Sequence, residues 1–365
     1  MSRAGIITYH FAVNYGAMLQ CYALKTAVEK LGNHCEVLNY ISDVQLNNNS
    51  LYRRGGAKNY MKNILLLPFH GVRAERQRRV EAFRKERLGT GQRMSSISEL
   101  DDHIRGEKLD VLISGSDQVW NPHIEDFDKA FFYPFSSPAR KIGYAISIGK
   151  ASEEDLLPYR EWIRDFDEIT VREESAKELI SALAGKPVQS VADPVFLLSS
   201  EEWEAVLPSA KKQNSSTLAA YFVKPDQMDE KIRIMEKIAE EKGLKPIIIS
   251  PRISKYNFTK HVISNAGPLE FLTAIRDAEF VCTDSFHGTV FSAILNRQFL
   301  TLEREEDKKD GRKKDILKKL ELSDRIQYLN HPYEKRREID YAQVNPQLED
   351  IRKEAMQVLK GLLLP

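Results

Sequence analysis

Short apolar runs alternate with stretches of helical spacing along most of the chain. The run 5–9 predicts a strand, and 17–31, where apolar residues recur every three or four positions, predicts the helix that follows it. Further strands are predicted in this half of the chain at 35–40, 109–114, 140–147 and 168–172. Strand–helix alternation favours parallel sheets with helices on both faces, so we predict an α/β fold.

A break in the alternation predicts a domain boundary. The stretch 185–200 contains Gly185, Pro187 and the pair Asp193-Pro194, which are typical of a loop. Beyond it, strands are predicted at 218–222, 246–250, 280–283 and 299–303, and helices at 226–242, 268–277, 288–295, 310–320 and 346–363. Because a single core rarely serves a chain of 365 residues, we predict an N-terminal domain over 1–190, a C-terminal domain over 191–345 and a final helix over 346–365.

Charge and cysteine content exclude several classes of protein. Lys and Arg total 54 against 53 Asp and Glu, so the net charge of +1 argues against a dedicated nucleic-acid binder. Cys21, Cys35 and Cys282 fit no zinc spacing, and we expect reduced, buried thiols and no metal centre. The apolar run 64–69 is too short to cross a bilayer, and no secretory signal is visible, so we expect a cytoplasmic protein.

One segment departs from this even charge distribution. Between 53 and 93 there are twelve Lys or Arg residues and three Glu. A solvated helical insertion in the N-terminal domain is favoured, since charge runs are usually exposed faces. The alternative is a cationic arm that faces an anionic membrane surface or an anionic glycan precursor.

The first group of candidate site residues follows the strand at 5–9. Asn14, Tyr15, Gly16 and Gln20 lie where a loop enters a helix, and backbone N–H groups there can receive an anion or a sugar hydroxyl. Gly16 would allow a ligand to approach the backbone closely. The Gly-x-Gly-x-x-Gly spacing of a dinucleotide site is absent. Asn14 as a plain helix cap is an equally good interpretation.

A second group follows the strand at 109–114. Ser116, Asp117, Gln118 and Asn121 offer hydrogen-bond partners for sugar hydroxyls, and Trp120 offers an apolar face for a sugar ring. The alternative is a Ser/Asp turn beside a core tryptophan.

The third group follows the strand at 280–283. His287 can exchange a proton near neutral pH, and Asp284 could orient it. Ser285 belongs to the same loop, and the N–H groups of Gly288 and Thr289 would point at an incoming phosphate or carboxylate. A histidine at a strand end, beside an aspartate and a helix N-terminus, favours a catalytic role.

Arg172 also stands at a strand end, after 168–171. It could hold a carboxylate or a phosphate through two parallel hydrogen bonds. A salt bridge to a nearby glutamate is the alternative.

Taken together, these motifs resemble the polysaccharide pyruvyl transferase family. The matching pieces occur in order over 5–300: Asn14-Tyr-Gly-Ala with Leu19-Gln20, Ser114-Gly-Ser-Asp-Gln-Val-Trp-Asn121, Tyr144-Ala-Ile-Ser, Val171-Arg-Glu with Ser175, Asp193-Pro194, and Thr283-Asp-Ser-Phe-His-Gly288. The resemblance implies two Rossmann-like domains that face each other across a cleft in a GT-B-like arrangement. The N-terminal domain would take the acceptor and the C-terminal domain the donor, with the last helix packing back towards the N-terminal domain.

The activity implied by the resemblance is pyruvyl transfer from phosphoenolpyruvate to a pair of glycan hydroxyls, which gives a pyruvate ketal. His287 would correspond to the family's histidine at the donor site and Arg172 to its donor-contacting arginine. Many relatives have Arg-Leu-His-Gly where this chain has Ser285-Phe286-His287-Gly288. Arg276, Arg304 and Arg312 are alternative sources of the missing charge.

The chemistry can also be argued from the residues. Protonated His287 would deliver a proton to the terminal carbon of the donor, and a sugar hydroxyl would attack the adjacent carbon. Asp117 is the hypothetical base, with Asn14, Trp120 and Asn121 positioning a glycan or lipid-linked saccharide. We expect no cofactor beyond the co-substrate, and we expect His287 and Arg172 to converge on one anion pocket. The alternatives are a GT-B-like glycosyltransferase with a nucleotide-sugar donor and a non-catalytic glycan-binding or assembly protein.

Overall fold

A computed structural model describes residues 2–11, 14–208, 216–305 and 311–364. The strands are β1 Arg3–Ile7, β2 His34–Val37, β3 Val111–Ser114, β4 Arg140–Ile146, β5 Glu168–Val171, β6 Gln189–Ser190, β7 Thr217–Tyr221, β8 Lys245–Ile249, β9 Val262–Ile263, β10 Phe280–Thr283, β11 Gln298–Glu303 and β12 Ile326–Tyr328. The α-helices are α1 Tyr15–Lys30, α2 Asp43–Asn49, α3 Ala57–Leu65, α4 His70–Phe83, α5 Ile97–Gly106, α6 Glu153–Leu156, α7 Arg160–Arg164, α8 Lys177–Ala184, α9 Ser200–Val206, α10 Met228–Lys242, α11 Pro268–Asp277, α12 Phe286–Ile294, α13 Arg312–Lys319 and α14 Tyr341–Leu363. No helix in these ranges is both long and apolar enough to cross a membrane.

The chain forms two compact units, each with its own parallel sheet. The first unit is made of Met1–Leu65, Val80–Leu198 and Ile351–Pro365, and the second of Leu66–Arg79 and Ser199–Asp350. Each sheet has six strands, and every pairing between them is parallel. The predicted α/β class with parallel sheets is therefore confirmed.

The sheet of the first unit has the strand order β2-β1-β3-β4-β5-β6. All four residues of β3 are buried, as expected for a parallel strand that is covered on both faces. Alternate residues belong to two different cores: Val111 and Ile113 to one, Leu112 to the other. The polar residues that follow β1, β3, β4 and β5 consequently lie along one edge of this sheet.

The end of α14 is part of the first unit's core. Ala355, Leu359 and Leu362 are buried in the same cluster as Leu24 of α1. The Tyr144 hydroxyl, on β4, donates a hydrogen bond of 3.3 Å to the carbonyl of Ala355.

The sheet of the second unit has the order β12-β11-β10-β7-β8-β9. Central strand β10 pairs with β7 and β11, and Thr283 at its end lies opposite Tyr221 and Thr301. The loops that follow β7, β10 and β11 therefore meet at the carboxyl edge of this sheet.

The basic segment 53–93 is not one solvated insertion. Its central part, Leu66–Arg79, belongs to the second unit. Phe69 packs edge-on against Phe258 at 5.5 Å, the Arg76 guanidinium donates to the carbonyls of Pro251 and Ser264, and Arg79 lies 3.5 Å from Glu270. These arginines act as packing and hydrogen-bonding groups within the second unit.

Candidate functional site

Two of the predicted acceptor-binding residues are buried connectors in the first unit. Gln20 Nε2 donates to Thr8 Oγ1 at 2.9 Å, and Gln20 Oε1 accepts from the Ser116 N–H at 3.2 Å. The Ser116 hydroxyl donates to the carbonyl of Ala145 at 2.7 Å. Gln20 and Ser116 are completely buried, so the prediction that they contact an acceptor is corrected: they tie α1 to the loops after β1 and β3 and to β4 itself.

Trp120 is a core residue. Its side chain is 0% exposed, stacks on Phe132 at 5.0 Å and meets Phe166 edge-on at 5.2 Å. The predicted sugar platform is therefore wrong, and the alternative of a turn beside a core tryptophan is the observed one. Tyr15 and Gly16 are buried as well, which removes them from the set of residues that can meet a ligand in this structure.

The remaining acceptor candidates keep some access to solvent. Asn14 is exposed and caps α1, accepting from the Ala17 N–H at 3.5 Å. Gln118 is half-buried, and its Oε1 accepts from Asn121 Nδ2 at 2.8 Å. Asn121 is 7% exposed, so Asn14 and Gln118 are the more accessible groups of this predicted set.

Arg172 is placed between two aspartates of the first unit. Its Nη1 lies 2.6 Å from Asp193 Oδ2, and its Nη2 lies 3.5 Å from Asp117 Oδ1. The side chain is 3% exposed. The alternative predicted for Arg172 was a salt bridge to a nearby glutamate. The salt bridges are present, but with aspartates. The donor contact that the resemblance implies for Arg172 and the base role of Asp117 stay predictions.

A buried carboxylate accompanies this group. The hydroxyl of Ser147, after β4, donates to Glu173, after β5, and both side chains are buried. Asp117 itself has a φ of +72°, a conformation that few residues other than glycine adopt, and its carbonyl accepts from the Ser147 N–H at 3.0 Å. The loops after β3, β4 and β5 are thus fixed by buried polar contacts before any ligand binds.

In the second unit, the turn from β10 into α12 is closely packed. A side chain at Gly288 would collide with Thr283, whose Oγ1 accepts from the Ser285 N–H at 3.1 Å. Ser285 caps α12: its Oγ accepts from the Gly288 N–H at 3.3 Å and its carbonyl from the Thr289 N–H at 3.0 Å. The prediction that these two N–H groups point at a phosphate is corrected, since both are used within the helix start.

Asp284 also has a different role from the predicted one. Its carboxylate accepts from the backbone N–H groups of Val223 at 2.7 Å and Lys224 at 3.2 Å, and from Lys231 Nζ at 2.7 Å. None of its described contacts is with His287. Asp284 therefore holds the loop after β7 against the turn before α12, and does not orient the imidazole.

His287 is the second residue of α12. It is 6% exposed, and its ring lies edge-on to Phe286 at 5.2 Å. The helix start places the imidazole at the carboxyl edge of the sheet, where parallel α/β sheets bind ligands.

Two arginines proposed for the donor lie at opposite edges of this sheet. Arg276 is in the last turn of α11, which ends three residues before β10 begins. It therefore lies at the amino edge, where it bonds to Asp277 at 2.7 Å and to the carbonyl of Pro208 at 3.1 Å, so its predicted donor role is corrected. Arg304 directly follows β11 at the carboxyl edge and pairs with Asp226 at 2.8 Å. Arg312 begins α13.

Sequence reasoning missed two buried lysines beside this turn. Lys231 pairs with Asp284, and Lys313 Nζ donates to the carbonyl of Asp284 at 3.0 Å and lies 3.5 Å from Glu303. A signal for Lys231 exists, because it stands at helical spacing from the buried Ile234, Met235 and Ile238. Across the ranges that the structure covers, no cluster of His, Cys, Asp or Glu has the arrangement to hold a metal ion.

Comparison with solved structures supports the architecture. The chain is similar to UDP-GlcNAc 2-epimerase from Methanocaldococcus jannaschii, with a TM-score of 0.56, 12% identity and coverage of 99% of each chain. It is also similar to UDP-GlcNAc 2-epimerase from Neisseria meningitidis, solved with bound UDP-GlcNAc, with a TM-score of 0.52, 12% identity and full coverage of both chains. At these identities the likeness concerns the fold alone, which is a pair of Rossmann-like α/β units of the GT-B class.

The sequence comparison identifies the family, which the likeness of fold alone does not. The family model described as polysaccharide pyruvyl transferase matches residues 14–306. The chain therefore belongs to the polysaccharide pyruvyl transferase family and is a transferase, as the motifs predicted. No curated protein matches the chain.

Proposed function

We propose that this protein transfers a pyruvyl group from phosphoenolpyruvate to two hydroxyls of a glycan and releases phosphate. Membership of the family supports pyruvyl transfer to a polysaccharide in general. The donor and the ketal product are our proposal. Because phosphoenolpyruvate is a cytoplasmic metabolite, we place the reaction in the cytoplasm, with a glycan or lipid-linked saccharide as the acceptor.

The observation that carries the proposal is the position of His287. The imidazole lies at the start of α12. The turn before it is fixed by the close packing of Gly288 against Thr283 and by the ion pair between Lys231 and Asp284. A proton donor at a rigid helix start can meet an anionic substrate whose charge the helix N-terminus favours.

Arg304 is the cation that we assign to the donor. Thr283 of β10 is paired with Thr301 of β11. Arg304 directly follows β11, and the turn into α12 directly follows β10, so both lie at the carboxyl edge of the sheet. The Arg304 side chain is 27% exposed and pairs with the partly exposed Asp226 at 2.8 Å. An arginine at this point can hold a carboxylate or a phosphate of the donor.

The proposed reaction balances without a further reactant. Protonated His287 gives its proton to C3 of phosphoenolpyruvate, which makes C2 electrophilic. One acceptor hydroxyl forms a bond to C2 and loses its proton, and the C2–O bond to phosphate breaks. A second hydroxyl then forms the other C2–O bond of the ketal and loses its proton. One of the two released protons restores protonated His287, and the other leaves with the phosphate. The products are the ketal and inorganic phosphate.

The test is incubation with phosphoenolpyruvate and a panel of bacterial glycans and lipid-linked saccharides. We expect phosphate release together with an acceptor mass gain of one pyruvate less one water. His287→Gln should lower the rate by about 10²-fold or more, the scale of general acid catalysis. The matched control is His331→Gln, since the His331 side chain is 55% exposed. A full rate in His287→Gln, or turnover of UDP-sugars with none of phosphoenolpyruvate, would contradict the proposal.

A further inference from the structure

One helix of the first unit presents its apolar side to solvent. None of the nine residues of α3 is buried. Tyr60, Met61, Ile64 and Leu65 are 68%, 56%, 43% and 70% exposed. At about 100° per residue these four side chains fall within an arc of roughly 140°, so they form one continuous apolar strip, which we call the α3 surface.

The polar side of α3 is hydrogen-bonded to the segment that precedes the helix. Asn59 Nδ2 donates to the carbonyls of Arg54 at 3.2 Å and Gly55 at 2.9 Å, and Asn63 Nδ2 donates to the carbonyl of Arg53 at 2.9 Å. Both asparagines are half-buried. An amphipathic helix on a globular protein normally buries its apolar side, whereas in α3 the apolar side is the exposed one.

The charged residues of the segment that contains α3 have a single sign. From 44 to 74 the sequence contains Arg53, Arg54, Lys58, Lys62 and Arg73, and no Asp or Glu. Of these, Arg53 is paired with Glu125 at 3.0 Å. Lys58 and Lys62 are exposed, and they lie one helical turn apart on the side of the strip that ends at Leu65. An exposed apolar strip bordered by lysines complements a surface that is both apolar and anionic.

We propose that the α3 surface inserts into the interface of an anionic lipid bilayer. The four apolar side chains would enter the boundary between headgroups and acyl chains, and the two lysines would reach the lipid phosphates. A second copy of the chain is a poorer partner, because apposing two such surfaces would bring like charges together. This inference depends on α3 alone and stands whether or not the proposed reaction is correct.

The test is sedimentation of the full chain with vesicles of phosphatidylcholine alone and of phosphatidylcholine with one third phosphatidylglycerol. We expect binding to the anionic vesicles only, weakened by salt. Ile64→Glu with Leu65→Glu should abolish it, and Lys58→Glu with Lys62→Glu should weaken it by about fivefold or more for each lysine. In Tyr60→Trp, these vesicles should shift the tryptophan emission to shorter wavelength, and the shift should exceed that of the native chain.

Matched control variants distinguish binding through the α3 surface from nonspecific binding to vesicles. Leu157→Glu changes an apolar residue that is 45% exposed elsewhere in the first unit, and Lys318→Glu with Lys319→Glu reverses two exposed lysines of α13. Both controls should bind anionic vesicles like the native chain. Binding to no vesicle, or anionic binding that survives the α3 changes, would overturn the proposal. Concentration-dependent dimerisation without lipid that Ile64→Glu and Leu65→Glu remove would assign the surface to a second copy instead.

Discussion

Lys231 and Asp284 form a buried ion pair at the carboxyl edge of the second sheet, with Nζ 2.7 Å from Oδ2 and side chains that are 2% and 3% exposed. The aspartate belongs to the turn that leads to His287, and the lysine belongs to α10. Because Asp284 also receives two backbone N–H groups from the loop after β7, the pair fixes three segments at one point. Asp284 is therefore a positioning residue for the proposed site.

Removing one partner of this pair should be costly. Lys231→Met leaves a buried carboxylate without its cation, and we expect a loss of about 3–5 kcal/mol in the free energy of unfolding. Lys231→Met combined with Asp284→Asn should cost less than the two single changes added together. Urea unfolding measures all three variants. Lys255→Met, which breaks an exposed pair with Asp229, is the control and should show no resolvable change. Strict additivity of the two buried changes would contradict this account.

Gly288 tests the close packing of the turn. In Gly288→Ala the added carbon would meet Thr283, so β10 and α12 must move apart, at a cost of about 1–3 kcal/mol. We expect a lower melting temperature together with a reduced rate of pyruvyl transfer. Gly71→Ala is the matched control, because nothing lies within 4 Å of the added carbon in α4, and it should leave stability unchanged or slightly raised. Equal melting temperatures for both variants would be the contrary result.

His10 should make stability depend on pH. Burial, followed by the nearby Arg84 guanidinium, lowers the pKa of His10 from 6.5 to about 4. The unfolded chain therefore binds the proton first as pH falls, and stability that is complete above pH 6.5 is lost progressively down to about pH 4. The loss should reach roughly 3 kcal/mol. Urea unfolding across this pH range gives the difference in the free energy of unfolding between the native chain and His10→Gln. That difference should not change with pH if His10 does not titrate in this way.

Arg304 and Arg276 should differ in their effect on the donor. If Arg304 holds an anionic group of phosphoenolpyruvate, Arg304→Gln should raise KM for this substrate by about tenfold or more with a smaller effect on kcat. Arg276→Gln, at the opposite edge of the sheet, should leave KM for phosphoenolpyruvate unchanged. Steady-state kinetics with the acceptor saturating measure both values. A raised KM in Arg276→Gln with none in Arg304→Gln would reverse the assignment.

The alternation of apolar runs predicted most of the fold, because buried parallel strands are continuous apolar segments. β3 and β10 lie within the predicted ranges 109–114 and 280–283. The predicted strand 35–40 ends earlier, at Val37, since Tyr40 pairs with Met94 outside the main sheet. β6, β9 and β12 were missed because strands of two or three residues carry no measurable period.

For the candidate site, the sequence predicted the positions of the turns at the strand ends but not the contacts of their side chains. The sequence located the turns that contain Asp117 and Asp284, because polar residues after an apolar strand mark the ligand-binding edge. It could not show that Trp120 stacks on Phe132 or that Asp284 bonds to Lys231, since those partners are distant along the chain. A tryptophan in a polar loop has the same sequence pattern whether its ring faces a ligand or the core.

The last turns of α14 set an order for folding during synthesis. A ribosome that has completed residue 198 has synthesised every strand of the first sheet, but the side chains of Leu359 and Leu362 that share a core with Leu24 do not yet exist. That apolar face stays uncovered while the whole second unit is translated, and the second unit in turn needs Leu66–Arg79, which were made long before. The first unit therefore cannot complete its core until the second has been made, so a truncated or stalled chain exposes an unfinished core to aggregation and proteolysis.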